Sequence, residues 1–268
     1  MKIAFIGGGT MAQAIISVLT CSSKKYEIIV SEPIETVRNK IKKKFELVAI
    51  NDNLLAIENS DIIILCIKPQ NFKIVANEIR GKITNIQTIV SIMAGTNINT
   101  ISNSLSTMNI IRVMPNTPAQ IGKGISAWHS TLTVSEKSKL AVKEILSMLG
   151  EEIQFQEEKY IDMATAISGS GPAYVFLFIE FLEKVGVEIG LPNDKIRQLI
   201  LKTISGSVEL LSNSDKSPEE LRKLVTSPGG TTEAGINSMI MNNFHKSIVT
   251  GVKKAYERGK ELSNEEKI

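Results

Sequence analysis

A short apolar strand, Ile3–Ile6, runs straight into Gly7-Gly8-Gly9-Thr10-Met11-Ala12, and the residues that follow have helical spacing. Few folds accommodate that order. Gly7 permits a tight turn, Gly9 lets the backbone approach a phosphate, and Ala12 lets the helix pack closely on the sheet. The unpaired N–H groups of the helix start, with Thr10 and Met11, then face an anion. The string fits the G-x-G-x-x-A fingerprint, and its place inside a β-α-β unit gives the motif weight over a purely structural glycine turn. Met1 to about Pro33 is therefore read as a nicotinamide dinucleotide site.

The rhythm behind this motif continues. Strands are expected at Glu27–Val30, Leu47–Ile50, Asp61–Ile67, Thr88–Ser91 and Asn109–Val113, with helices at Glu35–Lys44 and Phe72–Ile79. Alternation of this kind predicts a parallel sheet with helices on both sides. A helix at Ser135–Leu149 and a last strand at Glu151–Phe155 follow, and Trp128 and His129 fall in a further strand. After about Glu157 every segment has helical spacing, and Ser217-Pro218-Glu219-Glu220 carries the signature of a capped helix start. Gly190-Leu191-Pro192 ends one helix, and Asn193 is placed to cap the next. The expected fold class is α/β: a Rossmann-type dinucleotide-binding domain over 1–156, then an all-α domain over 157–268.

Composition excludes several classes. The 268 residues carry a formal net charge of +3, with 43% hydrophobic and 22% charged residues. The one dense basic run, Lys40 with Lys42 to Lys44, reads as a solvated helix end rather than a nucleic-acid patch. Cys21 and Cys66 have no metal-type spacing, so no metal site is expected, and two thiols without a disulfide framework fit a reducing cytoplasm. Met1-Lys2 leads directly into a strand, which leaves no room for a signal peptide. Ala173–Leu182 is interrupted by Glu180 and is read as too short to span a bilayer. Neither His129 nor His245 belongs to a recognisable catalytic set.

Other strand ends add to the site. Ser31 and Glu32 close the second strand. An acidic residue there normally accepts hydrogen bonds from the adenosine ribose and favours NADH, while Ser31 and nearby Arg38 leave NADPH open. Ile67-Lys68-Pro69, Ala94-Gly95 and Asn116 follow three further strands. Singly each has a structural reading; together they lie where open α/β sheets bind ligands. Gly229 and Gly230 permit unusual backbone angles, and Thr231 and Thr232 then open a helix whose N–H groups suit a carboxylate, although a simple turn and cap explains the spacing equally well.

The chain resembles the pyrroline-5-carboxylate reductases along its whole length. The match includes the N-terminal glycine segment, Lys68-Pro69-Gln70, Met114-Pro115-Asn116-Thr117-Pro118 and Ser168-Gly169-Ser170-Gly171-Pro172-Ala173-Tyr174. Its most specific piece is Val225-Thr226-Ser227-Pro228-Gly229-Gly230-Thr231-Thr232-Glu233-Ala234-Gly235-Ile236. The resemblance implies reduction of 1-pyrroline-5-carboxylate to L-proline with NAD(P)H. It implies cofactor binding by Gly7 to Met11, Ser31, Asn53, Ile67 to Pro69, Ala94 and Gly95. It also implies substrate binding by Ser227 to Thr232, with Thr232 bonded to the ring nitrogen. Homodimers through the helical domain, some gathered into larger rings, complete the expectation. A homodimer also gives the all-round apolar stretch Ala173–Ile179 a partner, although a central helix of one monomer accounts for it too. Hydroxyacid dehydrogenases of similar architecture carry a catalytic lysine just after the Gly-x-Gly that opens the helical domain. Here Pro172-Ala173-Tyr174 stands instead, and the next lysine is Lys184. A non-catalytic redox sensor has no use for the Ser227–Thr232 loop.

Overall fold

The computed structural model describes residues 1–265. Its first part runs β1 (Lys2–Ile6), α1 (Thr10–Cys21), β2 (Glu27–Ser31), α2 (Glu35–Phe45), β3 (Val48–Ile50), α3 (Asn53–Ile57), β4 (Ile62–Leu65), α4 (Phe72–Ile79), β5 (Thr88–Ser91), α5 (Ile98–Leu105), β6 (Ile110–Met114), β7 (Gly124–Ser130), α6 (Glu136–Ser147) and β8 (Gly150–Gln154). The strands form one sheet in the order β3-β2-β1-β4-β5-β6-β7-β8. Two apolar layers sandwich it. One gathers Phe5, Ile16, Val30 and Trp128 under α1, α2 and α6; the other gathers Ile6, Ile63, Phe72 and Ile101 under α3, α4 and α5. All four residues of β4 are buried, as an unbroken Ile-Ile-Ile-Leu run requires.

The sheet departs from the expected parallel pattern at one point. β7 pairs antiparallel to β6 and parallel to β8. The segment between Met114 and Gly124 holds only a 3-10 turn, Thr117–Ile121, and is too short for a crossover helix. Two helices were not anticipated. α3 is a five-residue turn capped by Asp52, whose carboxylate accepts the Leu55 N–H. α5 buries Ile98, Ile101 and Leu105 at helical spacing behind an Asn97 cap. Cys66 lies just beyond β4, and burial pushes its thiol above the ordinary range.

The remaining elements are α7 (Lys159–Ala164), a π-turn (Thr165–Gly169), α8 (Gly171–Glu188), α9 (Asn193–Ser212), α10 (Pro218–Leu224), α11 (Thr231–Met241) and α12 (Phe244–Glu265). The chain divides into two compact units. One comprises Met1–Pro172 with the chain from Lys254 onward; the other is Ala173–Lys253. In the second unit α10 has the capping box foreseen at Ser217 and Glu220. Asn193 is the first residue of α9 rather than its cap, because the helix starts directly after Pro192. The apolar helix α8 is not a monomer's central helix. Only Gly186 on it is buried, against Ile196 of α9, while Phe176 is 62% and Phe181 54% exposed. The continuous helical run Lys159–Glu188 has 30 residues and by length and composition alone is sufficient to cross a membrane. The run is longer than Ala173–Leu182 because it takes in the helical residues on either side.

The link between sheet and helices in the first unit is electrostatic. Arg112, in the middle of β6, is fully buried. Its guanidinium donates to Glu158 at 2.9 Å and to Asp162 at 2.6 Å, so α7 and the residue before it are held on the sheet. Glu158 Oε1 also accepts the Ile98 N–H at 2.7 Å, at the start of α5. Breaking such a pair from one side strands buried charge. Arg112→Ala is therefore expected to lower stability by about 3–5 kcal/mol, read from urea unfolding at fixed protein concentration. A loss under about 1 kcal/mol, the range of exposed ion pairs, would show the cluster to be dispensable.

Candidate active site

The sheet order reverses between β1 and β4, and the carboxyl ends of these neighbours border the crevice where open α/β sheets bind ligands. The glycine turn sits at this point. Gly7 has φ +97°, and a Cβ there would lie 2.7 Å from the Cys66 carbonyl oxygen beyond β4. A Cβ on Gly8 would strike the Ile41 side chain. A Cβ on Gly9 would meet nothing within 4 Å. Gly9 caps α1 with extended backbone and no side-chain cap bond, which leaves the helix start without a side chain of its own to fill it. The turn is thus packed behind and open in front, the cradle that a pyrophosphate requires.

Glu32 is turned inward. It is 7% exposed, and its two carboxylate oxygens accept the N–H groups of Gly8 at 2.8 Å and Ile34 at 2.9 Å. Arg38 donates to the carbonyls of Glu32 at 2.7 Å and Pro33 at 2.6 Å. Ser31 is buried at the end of β2, and its carbonyl accepts the Gly7 N–H at 2.7 Å. Around the crevice, Asn53 opens α3 and donates to Glu78 at 2.7 Å. Ile67 and Lys68 follow β4, and Pro69 begins a 3-10 turn. Ala94 is exposed and Gly95 buried, with φ +74°, in the loop after β5. Asn116 uses both ends of its amide: Oδ1 accepts the Ile125 N–H at 2.9 Å and Nδ2 donates to the Ser168 carbonyl at 3.2 Å. The π-turn brings that carbonyl into place, through a bond from the Ser170 N–H to the Thr165 carbonyl at 2.8 Å.

The second unit carries the other loop. Gly229 has φ +71°, and Gly230 caps α11 without a side-chain bond. Ser227 closes the turn by accepting the Gly230 N–H on its carbonyl at 3.0 Å. Thr231 and Thr232 are exposed in the first turn of α11. Sequence reasoning missed Glu233, whose carboxylate accepts the Gly229 N–H at 2.7 Å and sets the shape of the loop. Its signal was an acid at the third helical position. Among the described residues no group of His, Cys, Asp and Glu is arranged to hold a metal ion. His129 pairs through Nδ1 with the Phe155 carbonyl at 2.9 Å, a structural contact. A broad cavity lined by Met1, Asp61, Gln87 and Lys137 lies at the opposite ends of the strands, away from the glycine turn.

Comparison with known proteins fits both halves. The model of the NADP oxidoreductase, coenzyme F420-dependent family matches residues 2–95. That of pyrroline-5-carboxylate reductase dimerisation matches residues 158–262. The pyrroline-5-carboxylate reductase of Synechocystis is 37% identical over 265 residues, which covers 98% of each chain. Pyrroline-5-carboxylate reductase 2 of Bacillus subtilis is 35% identical, covering 98% of this chain and 96% of its own. The chain belongs to the pyrroline-5-carboxylate reductase family. A crystal structure of the Plasmodium falciparum pyrroline carboxylate reductase with NADP bound superposes with a TM-score of 0.90, at 33% identity over 98% of both chains. The expected fold class, a Rossmann-type domain followed by helices, is that of pyrroline-5-carboxylate reductases, and the family's cofactor is a nicotinamide dinucleotide. The exposed apolar face of α8 falls within the segment matched by the reductase dimerisation model.

The inward Glu32 generates a test. Glu32→Ala leaves the buried Gly8 N–H without its acceptor and is expected to cost about 1–3 kcal/mol of stability, weakening NADH and NADPH alike. A variant of unchanged stability that gained NADPH at the expense of NADH would show instead that Glu32 reads the ribose.

Proposed function

We propose that this chain reduces the C=N bond of 1-pyrroline-5-carboxylate to give L-proline, using NAD(P)H. The observation that carries the reading is full-length membership of the reductase family, together with a glycine cradle at the switch point. Gly7, Gly8, Gly9, Thr10 and Met11 hold the pyrophosphate, and Ser31 and Asn53 border the adenosine. Ile67, Lys68, Pro69, Ala94, Gly95 and Asn116 line the path to the nicotinamide. When bound, the dinucleotide supplies the hydride for the imine carbon. Glu32 serves this site by fixing the Gly8 and Ile34 backbone, and NADH and NADPH both stand as hydride donors.

Substrate binding falls to Ser227, Gly229, Gly230, Thr231 and Thr232. The N–H groups that open α11 suit the substrate carboxylate. The Thr232 hydroxyl bonds to the ring nitrogen and steadies it as the amine develops. The chain's contribution is alignment, since a protonated imine accepts a hydride without further acid catalysis. Residues 157–268 form the dimerisation and substrate-binding part and 1–156 the dinucleotide part, with homodimers built on α8 and gathered into larger rings. Two free thiols suit a cytoplasmic setting.

Oxidation of NADH and of NADPH in the presence of pyrroline-5-carboxylate tests the activity, and running both settles the preference. Thr232→Ala is expected to lower turnover by about two orders of magnitude, the scale of a lost transition-state hydrogen bond, with dinucleotide affinity intact. Unchanged turnover removes Thr232 from the mechanism, and no oxidation of either cofactor by the unaltered chain contradicts the reductase reading.

A further inference from the structure

The loop after β5 is held from outside by the far end of the chain. Gly95 is buried, and a Cβ on it would stand 2.7 Å from the Leu262 Cβ and 3.7 Å from the Gly259 carbonyl oxygen. Leu262 therefore packs directly on the face of Gly95 that lacks a side chain. Two residues on, Asn97 divides its amide between two tasks. Its Oδ1 accepts the Thr100 N–H at 2.8 Å and caps α5, while Nδ2 donates to the Ser263 carbonyl at 3.2 Å. Ser263 stands near the end of the described part of α12. The contact thus pins the loop after β5 to α12. Ser263 is 8% exposed, so its contact is shielded from water. These residues of α12 belong to the compact unit of the sheet, although the same unbroken helix begins in the other unit.

We propose that the last turns of α12 are a positioning element for the dinucleotide. Leu262 and the Ser263 carbonyl fix the Met93–Asn97 loop in the left-handed turn at Gly95, and this sets how tightly the cofactor is held. The inference rests on the reading that Ala94 and Gly95 touch the dinucleotide. Neither Leu262 nor Ser263 touches the reacting atoms; both act through Gly95 and Asn97. The loop is already tied on its other side, where Glu158 accepts the Ile98 N–H. Removing the α12 contact frees one edge of it while leaving the other in place.

The test uses the full chain with two variants. Leu262→Ala removes the packing. Asn97→Asp keeps an acceptor for the Thr100 N–H but loses the donor to Ser263 and sets a carboxylate against the Ser263 carbonyl oxygen. Binding of NADPH and NADH is measured by nicotinamide fluorescence, alongside the KM for each substrate, the melting temperature and the oligomeric state. Both variants are expected to bind dinucleotide about tenfold more weakly, equivalent to about 1.4 kcal/mol of binding free energy. The KM for pyrroline-5-carboxylate stays unchanged, and Leu262→Met restores affinity. Unchanged dinucleotide affinity in folded variants overturns the proposal, as does a parallel loss of affinity for both substrates, which signals general damage. An unaltered chain that binds no dinucleotide overturns the cofactor reading itself and this inference with it.

Discussion

A guanidinium removed from water has to be matched by carboxylates, and Arg112 is matched by two. That requirement organises the first unit. Glu158 and Asp162 lie beyond the last strand, so satisfying Arg112 draws the chain back over β6 after the sheet is finished. Glu158 then reaches the N–H of Ile98 and anchors the start of α5. The loop carrying Ala94 and Gly95 ends at that helix. On the other side of the same strand end, Asn116 ties its loop to the Ser168 carbonyl in the π-turn that follows α7. Two of the strand-end loops proposed to line the cofactor path thus depend on one buried ion cluster. A hydrophobic replacement of equal volume could hold β6 to α7 as firmly, but it would offer no acceptor to α5.

Much of this was legible from local pattern. Apolar runs, glycine punctuation and the Ser217 cap act over a few residues, and those elements form where the spacing requires. The dinucleotide turn is legible for the same reason, since strand, glycines and helix are contiguous. What was not legible depends on partners far along the chain. The orientation of Glu32 is decided by the Gly8 N–H, not by its position at the end of β2. The antiparallel β7 follows from a connection too short for a helix, which becomes apparent only once both flanking strands are placed. Arg112 reads in the sequence as one polar residue in an apolar strand, and its partners are announced by nothing near it.

The helical unit obeys a different constraint. Its apolar helix α8 leaves Phe176 and Phe181 exposed, and among the described residues nothing buries them. A stretch that by length alone passes for a membrane span belongs, in this family, to the dimerisation segment. The Ser227–Thr232 loop before α11, proposed to hold substrate, is shaped within the same unit by Gly229, the Gly230 cap and Glu233, so its geometry is set by backbone freedom and one carboxylate rather than by a rigid sheet.

The central claim is that hydride passes from a nicotinamide dinucleotide to a cyclic imine. Isotope transfer tests it most directly. The reduced cofactor is prepared with deuterium at the transferring position of the nicotinamide and incubated with the chain and 1-pyrroline-5-carboxylate, and the product is examined by mass spectrometry. The account predicts L-proline heavier by one deuterium, located on the ring carbon beside the nitrogen and away from the carboxylate. Proline formed without deuterium, or no proline at all, would contradict it.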